Sequence, residues 1–87
     1  MKLYELPQRT ETGVKIYADK EITVGKKVYK DAVVLFHHLD GMYSYCTLTD
    51  KEGETILHKD GSKAVIHLQA VTPLLEYKDG YKIDWSK

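Results

Sequence analysis

Residues 32–49 read AVVLFHHLDGMYSYCTLT and carry the strongest fold signal in this chain. Two runs rich in β-branched and aromatic residues flank Asp40-Gly41. Such residues suit a pleated strand, and Asp-Gly tolerates the positive φ angles of a tight hairpin turn. The stretch therefore predicts a β-hairpin with Asp40-Gly41 at its tip.

The two faces of this predicted hairpin differ in chemistry. A two-residue turn places Leu39 opposite Met42, and this pairing sets the register of both strands. Because side chains alternate across a strand, we expect one apolar core face that carries Cys46. The other face is expected to be aromatic and to carry Phe36, His38, Tyr43 and Tyr45.

The size and charge of the chain limit the classes of function. Its 87 residues predict one small domain, 1–87, with 43% hydrophobic and 30% charged residues. Thirteen basic and thirteen acidic residues give a net charge of +0, whereas nucleic-acid-binding domains usually carry a basic excess. No apolar run is long enough to cross a bilayer, and no signal-peptide pattern is visible, so we expect no membrane partner. The single Cys46 favours a reducing, cytoplasmic location.

Frequent turn signals separate short runs of strand-forming residues. Asp40-Gly41, Asp60-Gly61 and Asp79-Gly80 are examples of this punctuation. No apolar periodicity of the helical type is sustained, although 67–71 could form one helical turn before Pro73. The predicted strands are 2–6, 14–18, 27–29, 33–39, 42–49, 54–59, 63–68, 74–77 and 81–85. Within 18–31, alternating apolar residues around Gly25 favour a hairpin or an extended loop.

Many short strands in 87 residues predict an all-β fold, and a small, strongly bent barrel suits this length better than a sandwich. Residues 64–75, AVIHLQAVTPLL, resemble the end of an SH3-like barrel, with Leu68 and Leu74 as anchors in the core. The resemblance implies five to six short antiparallel strands with added terminal strands. The length and the Tyr-rich hairpin also resemble small uncharacterised proteins of bacteria and their phages, which implies no activity.

The aromatic face admits three interpretations. Its rings could pack beneath a terminal segment, as aromatic residues most often do. They could instead form an exposed patch for a protein partner, since Tyr and Phe are enriched at interfaces. They could also stack on nucleobases, with nearby lysines meeting phosphates. The lysines expected to flank the face are Lys27, Lys59 and Lys63.

The C-terminal residues bear on this choice. Tyr81, Ile83 and Trp85 alternate with charged residues and form an apolar stripe. Such a stripe should pack on the barrel, over the aromatic face, or on a second copy of the chain. Whether the aromatic face is open or covered is therefore a structural question.

Catalytic and metal chemistry find little support in the sequence. Adjacent His37 and His38 should point to opposite faces of one strand, which disfavours their joint ligation of a metal. Cys46 is expected in the core, where a thiol is a poor nucleophile. No phosphate-binding glycine loop or nucleophile elbow is present. We therefore predict neither an enzyme nor a cofactor-dependent protein, with no catalytic and no metal-binding residue.

These observations predict a non-catalytic binding module. We favour a protein partner bound by the aromatic face, and the alternative is a nucleic-acid-binding barrel that uses the same rings with the flanking lysines. A homodimer formed through an edge strand or the Trp85 stripe is a further alternative.

Overall fold

The computed structural model describes residues 1–9 and 11–86. One 3₁₀-helix, Leu3–Glu5, precedes eight strands in this described part of the chain. No helix there is long and apolar enough to cross a membrane. The strands are β1 (Val14–Tyr17), β2 (Ile22–Val24), β3 (Lys27–Tyr29), β4 (Val33–Asp40), β5 (Tyr43–Thr49), β6 (Val65–Ile66), β7 (Leu74–Tyr77) and β8 (Gly80–Ile83).

Six of the strands form one mixed sheet in the order β6-β5-β4-β1-β8-β7. Its neighbours pair antiparallel except β1 and β8, which are parallel. The strands β2 and β3 form a separate hairpin. The prediction of an all-β fold is confirmed. Strand pairing in the described residues leaves β6 and β7 as the two edges of the sheet, so it shows no closed barrel.

The β4–β5 hairpin exists, but its turn lies one residue later than predicted, so at the tip each β4 residue pairs two residues further along β5 than expected. Asp40 pairs with Tyr43, so Gly41 and Met42 form the turn. Gly41 has a φ of 67°, in the left-handed region that glycine adopts without steric cost. A β-bulge at His37 then shifts the pairing a second time. An extra residue in one strand changes which of its side chains face the core from that point onward.

The bulge places Phe36 opposite Cys46, in the core. Both side chains are fully buried. The prediction that Phe36 shares a face with Tyr43 and Tyr45 is therefore wrong, whereas the prediction that Cys46 lies in the core is confirmed. The same core cluster includes Leu3, Ile16, Val34, Leu48, Leu74 and Ile83.

Several predicted strands are shorter or absent. Within residues 2–6, Leu3–Glu5 form the 3₁₀-helix, and a helical turn lets both Leu3 and Leu6, three residues apart, be buried. Residues 54–59 make only isolated bridges, and 63–68 contain only the two-residue β6. No helical turn forms at 67–71; Gln69 instead bridges to Tyr43, extending the antiparallel run alongside β5. Of the alternatives for 18–31, the structure has the hairpin.

The C-terminal stripe lies beside β1. Ile16 pairs with Tyr81, and the indole Nε1 of Trp85 donates a hydrogen bond to the carbonyl oxygen of Ala18 at 2.6 Å. The ammonium of Lys20 stacks 3.9 Å from the centre of the Trp85 ring. The tail therefore does not cover Tyr43 and Tyr45, because strands β1 and β4 lie between β8 and β5.

Candidate functional site

Backbone contacts bring a group of exposed apolar side chains together at the tip of the β4–β5 hairpin. Ala70 donates a hydrogen bond to the carbonyl of Met42 at 2.8 Å, and Tyr4 donates one to the carbonyl of Ala70 at 3.0 Å. These bonds place three chain segments side by side. Their exposed fractions are Met42 79%, Val71 56%, Tyr4 54% and, beside Met42, Tyr43 50%. We call Tyr4, Met42, Tyr43 and Val71 the hairpin-tip patch.

A stack of rings continues the sheet surface from Tyr43. His38 pairs with Tyr45 across the strands, with ring centroids 5.4 Å apart and an interplanar angle of 22°. The ring centroid of His37 is also 5.4 Å from that of Tyr45, at an interplanar angle of 40°, and His37 is hydrogen-bonded to Thr47 Oγ1 at 3.1 Å. The stack holds Tyr45 half-buried, so Tyr45 supports the patch more than it extends it.

The two histidines do not point to opposite faces, and that prediction is wrong. The bulge turns both imidazoles toward Tyr45. Their buried Nδ1 atoms have no hydrogen-bond partner among the described residues. The His38 ring stacks on Tyr45, whereas the tilted His37 ring contacts Tyr45 and is also hydrogen-bonded to Thr47. The same part of the chain holds no group of three or more His, Cys, Asp or Glu side chains that could bind a metal ion.

A shallow cavity lies beside the patch, lined by Asp40, Tyr43 and His67. His67 Nδ1 donates to the Ser44 carbonyl oxygen at 3.1 Å, which fixes the imidazole against β5. Asp40 is exposed and places a negative charge at the rim. The tip thus combines apolar area with one carboxylate and an imidazole.

The predicted aromatic face is assembled only in part. His38, Tyr43 and Tyr45 lie together, while Phe36 is in the core. The three predicted lysines lie elsewhere: Lys27 stacks on Tyr29 of β3 at 5.1 Å, and Lys59 and Lys63 lie in and after the turn that follows Leu57.

Lys63 is remote from the hairpin tip along β5. Its neighbour Ala64 accepts a hydrogen bond from Leu48, five residues along β5 from Tyr43. At about 3.4 Å per residue, this separates Lys63 from Tyr43 by roughly 17 Å. The combination proposed for nucleic-acid binding at this face therefore does not assemble.

The thiol of Cys46 lies under the sheet and not at the patch. Its Sγ is 3.3 Å from Ser44 Oγ, which also donates to the Leu68 carbonyl at 3.0 Å. Burial raises the pKa of the Cys46 thiol, so it stays protonated at neutral pH. A protonated, buried thiol is a poor nucleophile.

No family model matches this chain. Searches of curated proteins and of solved structures likewise find no similar protein. The function must therefore be argued from the surfaces themselves.

The sequence did not predict three residues of the patch as site residues: Tyr4, Met42 and Val71. Met42 carried a usable signal, because a large apolar residue beside the turn of a tight hairpin has little core to enter. Tyr4 and Val71 carried none, since only the hydrogen bonds through Ala70 bring them to the tip.

Proposed function

We propose that the protein is a non-catalytic binding module that docks a protein partner through the hairpin-tip patch. The observation that carries the proposal is the grouping of four large apolar side chains, each at least half exposed, at one end of the sheet. Exposed apolar side chains grouped on neighbouring segments favour an interaction site on a small protein.

The chemistry of the patch favours a protein as the partner. Tyr and Met are enriched at protein interfaces, and Tyr offers large contact area at low entropic cost. The carboxylate of Asp40 at the rim favours a partner that presents an apolar surface beside a basic residue. No lysine of the predicted set lies at the tip to favour nucleic acid there.

Two further observations support a role without catalysis. Cys46 is buried beside a hydroxyl and keeps its proton, and Ser44 Oγ is engaged by the Leu68 carbonyl. Neither forms the nucleophile–base pair that covalent catalysis requires. The lone buried cysteine also fits a reducing compartment, and we propose the cytoplasm.

For the fold, we propose an open relative of the SH3-like barrel. Support comes from the long β4–β5 hairpin, the burial of Leu74 and the hydrogen bond from Leu74 N to the Met1 carbonyl, which extends the β7 edge. Backbone NMR assignment tests this: NOEs between Ile66 and the β7 edge would show that the sheet closes, and their absence in a complete assignment would show that it does not.

Site-specific photo-crosslinking tests the docking site. With a benzophenone side chain at position 42, illumination in extract of the source cells should give one heterologous adduct, identified by mass spectrometry. The partner, once purified, should bind at least tenfold more weakly to Tyr43→Ser, because a central Tyr often contributes 2 kcal/mol or more. Circular dichroism and urea unfolding verify that the variant is folded.

Leu57 is the matched control, because it is 52% exposed but lies outside the patch. A crosslinker at position 57 should give no adduct, and Leu57→Ser should bind the purified partner as the wild type does. Equal adducts from positions 42 and 57 would contradict the proposal. A covalent dimer of this chain as the sole product would replace it with self-association.

A further inference from the structure

A cleft of about 500 Å³ lies at the opposite end of the sheet from the hairpin tip. Ligand pockets commonly enclose about 300–1,000 Å³, so this cleft is large enough for a small molecule. One wall comes from β1 and the β7–β8 hairpin and carries Tyr17, Tyr77, Lys78 and Lys82. The facing wall comes from residues 30–33 and 49–53, which include the start of β4, the end of β5 and the adjoining loops.

The tyrosines of the first wall form a fixed aromatic pair. Their rings meet edge to face, with centroids 5.1 Å apart at an angle of 71°. The hydroxyl of Tyr17 donates to Asp79 Oδ1 at 2.7 Å, and Lys15 Nζ donates to Asp79 Oδ2 at 2.8 Å. Asp79 thus anchors the Tyr17 ring from outside the cleft.

Two lysine side chains lie beside this aromatic pair and form no salt bridge with a described carboxylate. The ammonium groups of Lys78 and Lys82 lie 5.1 and 5.2 Å from the centre of the Tyr77 ring. Neither has a carboxylate partner among the described residues. Cation–π contacts at exposed sites are weak, whereas a phosphate accepts charge-assisted hydrogen bonds from an ammonium. These two lysines are therefore available to an anion.

The backbone at the cleft is strained. Asp19 and Lys78 are the non-glycine residues with positive φ in the described chain, at 58° and 41°, and both line the cleft. Side chains other than glycine adopt this region at a cost, and such strain concentrates at functional sites. A glycine would suit the β7–β8 turn better than Lys78, yet the turn places a lysine there.

We propose that this cleft binds a nucleotide unit, with its base against the Tyr17–Tyr77 pair and its phosphate on Lys78 and Lys82. The loop wall complements this ligand, because the carboxylates of Asp31 and Glu52 line it and accept hydrogen bonds from exocyclic amino groups. A free nucleotide and a single strand share this chemistry. The proposal is independent of protein docking at the hairpin tip.

NMR titration of the ¹⁵N-labelled chain tests the site at 20 mM and 200 mM salt. The probes are AMP, a single-stranded dodecamer of mixed sequence, and inorganic phosphate. AMP or the dodecamer should shift the amides of β1 and the β7–β8 hairpin and leave Met42 and Tyr43 unmoved. Binding should weaken severalfold at the higher salt, since phosphate contacts carry part of the affinity. AMP binding as tight as that of the dodecamer assigns a free nucleotide; a much tighter dodecamer assigns a single strand.

Lys78→Asn is the diagnostic variant, because Asn tolerates positive φ and keeps the turn while it removes the charge. It should weaken binding at least fivefold without lowering the urea midpoint. Lys59→Asn, in an exposed turn outside the cleft, is the matched control and should bind normally. Tyr77→Leu keeps the apolar bulk and should abolish shifts caused by the base.

Three outcomes would overturn the proposal. The first is the absence of shifts with AMP and the dodecamer at 20 mM salt, where phosphate-driven binding is strongest. The second is shifts centred on the hairpin tip. The third is that inorganic phosphate reproduces the AMP shifts at the same concentration, which would make the cleft a simple anion site.

Discussion

At the scale of single residues, the carboxylate of Asp79 holds two neighbouring side chains, Lys15 and Tyr17, through hydrogen bonds. Hydrogen bonds from Lys15 and Tyr17 hold the pKa of Asp79 at about 2, below its usual 3.8. Because the folded-state pKa is the lower one, these bonds stabilise the fold above pH about 4, and the contribution is lost as the pH falls through 2. We expect the Asp79 carboxyl carbon to titrate near 2 in NMR spectra.

The variant Lys15→Gln should move this titration midpoint upward toward 3.8, because it removes the strongest donor. Lys20→Gln is the control, since Lys20 stacks on Trp85 instead, and it should leave the midpoint in place. High salt should also raise the midpoint, because the pair is exposed and screened by ions. A midpoint near 3.8 in the wild type would show that the network does not form in solution.

Single residues also show what the sequence can predict. Cys46 in the core, and His38, Tyr43 and Tyr45 together, followed from strand alternation alone. Phe36 did not, because its side was decided by one extra residue at His37 that nothing in the local composition signals. Strand alternation predicts which face a side chain lies on only as far as the first bulge, and beyond the bulge the predicted faces are exchanged.

At the scale of elements, the bulge at His37 predicts how the hairpin responds when one residue of β4 is deleted. Removing His37 would leave Phe36, His38, Leu39 and Asp40 in regular alternation on their present sides of β4. We expect the deletion variant to fold cooperatively and to lose about 1–3 kcal/mol, from the lost stacking on Tyr45 and the hydrogen bond to Thr47.

Deleting Leu35 is the matched comparison, because it would move Val34 out of the core and shift its register with β1. Urea unfolding followed by circular dichroism measures both variants. The Leu35 deletion should lack a cooperative transition. If both deletions were equally damaging, the bulge would be an essential part of the hairpin and not an inserted residue.

The parallel pairing of β1 with β8 depends on a close approach at Gly80. A Cβ atom there would lie 2.3 Å from the carbonyl oxygen of Lys15. We expect Gly80→Ala to lower the free energy of unfolding by about 2–3 kcal/mol, because backbone must move to admit a methyl group. Gly53→Ala is the control: its Cβ meets nothing within 4 Å, and its φ of 85° costs about 1–2 kcal/mol. Equal losses in the two variants would contradict the close approach.

At the scale of the whole molecule, sequence predicted the class but not the sheet. Turn residues indicate pairing between strands that follow one another in the chain, and they predicted the β4–β5 and β7–β8 hairpins. The β1–β8 pair places Ile16 opposite Tyr81. Parallel strands are not joined by a tight turn, so no turn signal in the sequence predicts this pair. That pairing places β8 and β7 in the strand order, and with them the wall of the cleft that carries Tyr77, Lys78 and Lys82.

The same architecture predicts that the two ends of the sheet act independently. Strand β4 runs from Val33 at the cleft to Asp40 at the hairpin tip, a distance of about 23 Å at roughly 3.3 Å per residue. Sites farther apart than about 10 Å without shared partners usually contribute additively to free energies. We therefore expect Tyr43→Ser to leave AMP binding at the cleft within about twofold of the wild type, by the NMR titration above.

The double variant Tyr43→Ser/Lys82→Gln completes this test. Its loss of unfolding free energy should equal the sum of the two single losses within about 0.5 kcal/mol. A coupling above about 1 kcal/mol would mean that β4 transmits a change from one end to the other, which the anchoring of Phe36 in the core between the two ends should resist. Two sites at opposite ends of β4 would let the module bind a protein and a nucleotide at once, with neither ligand altering the affinity for the other.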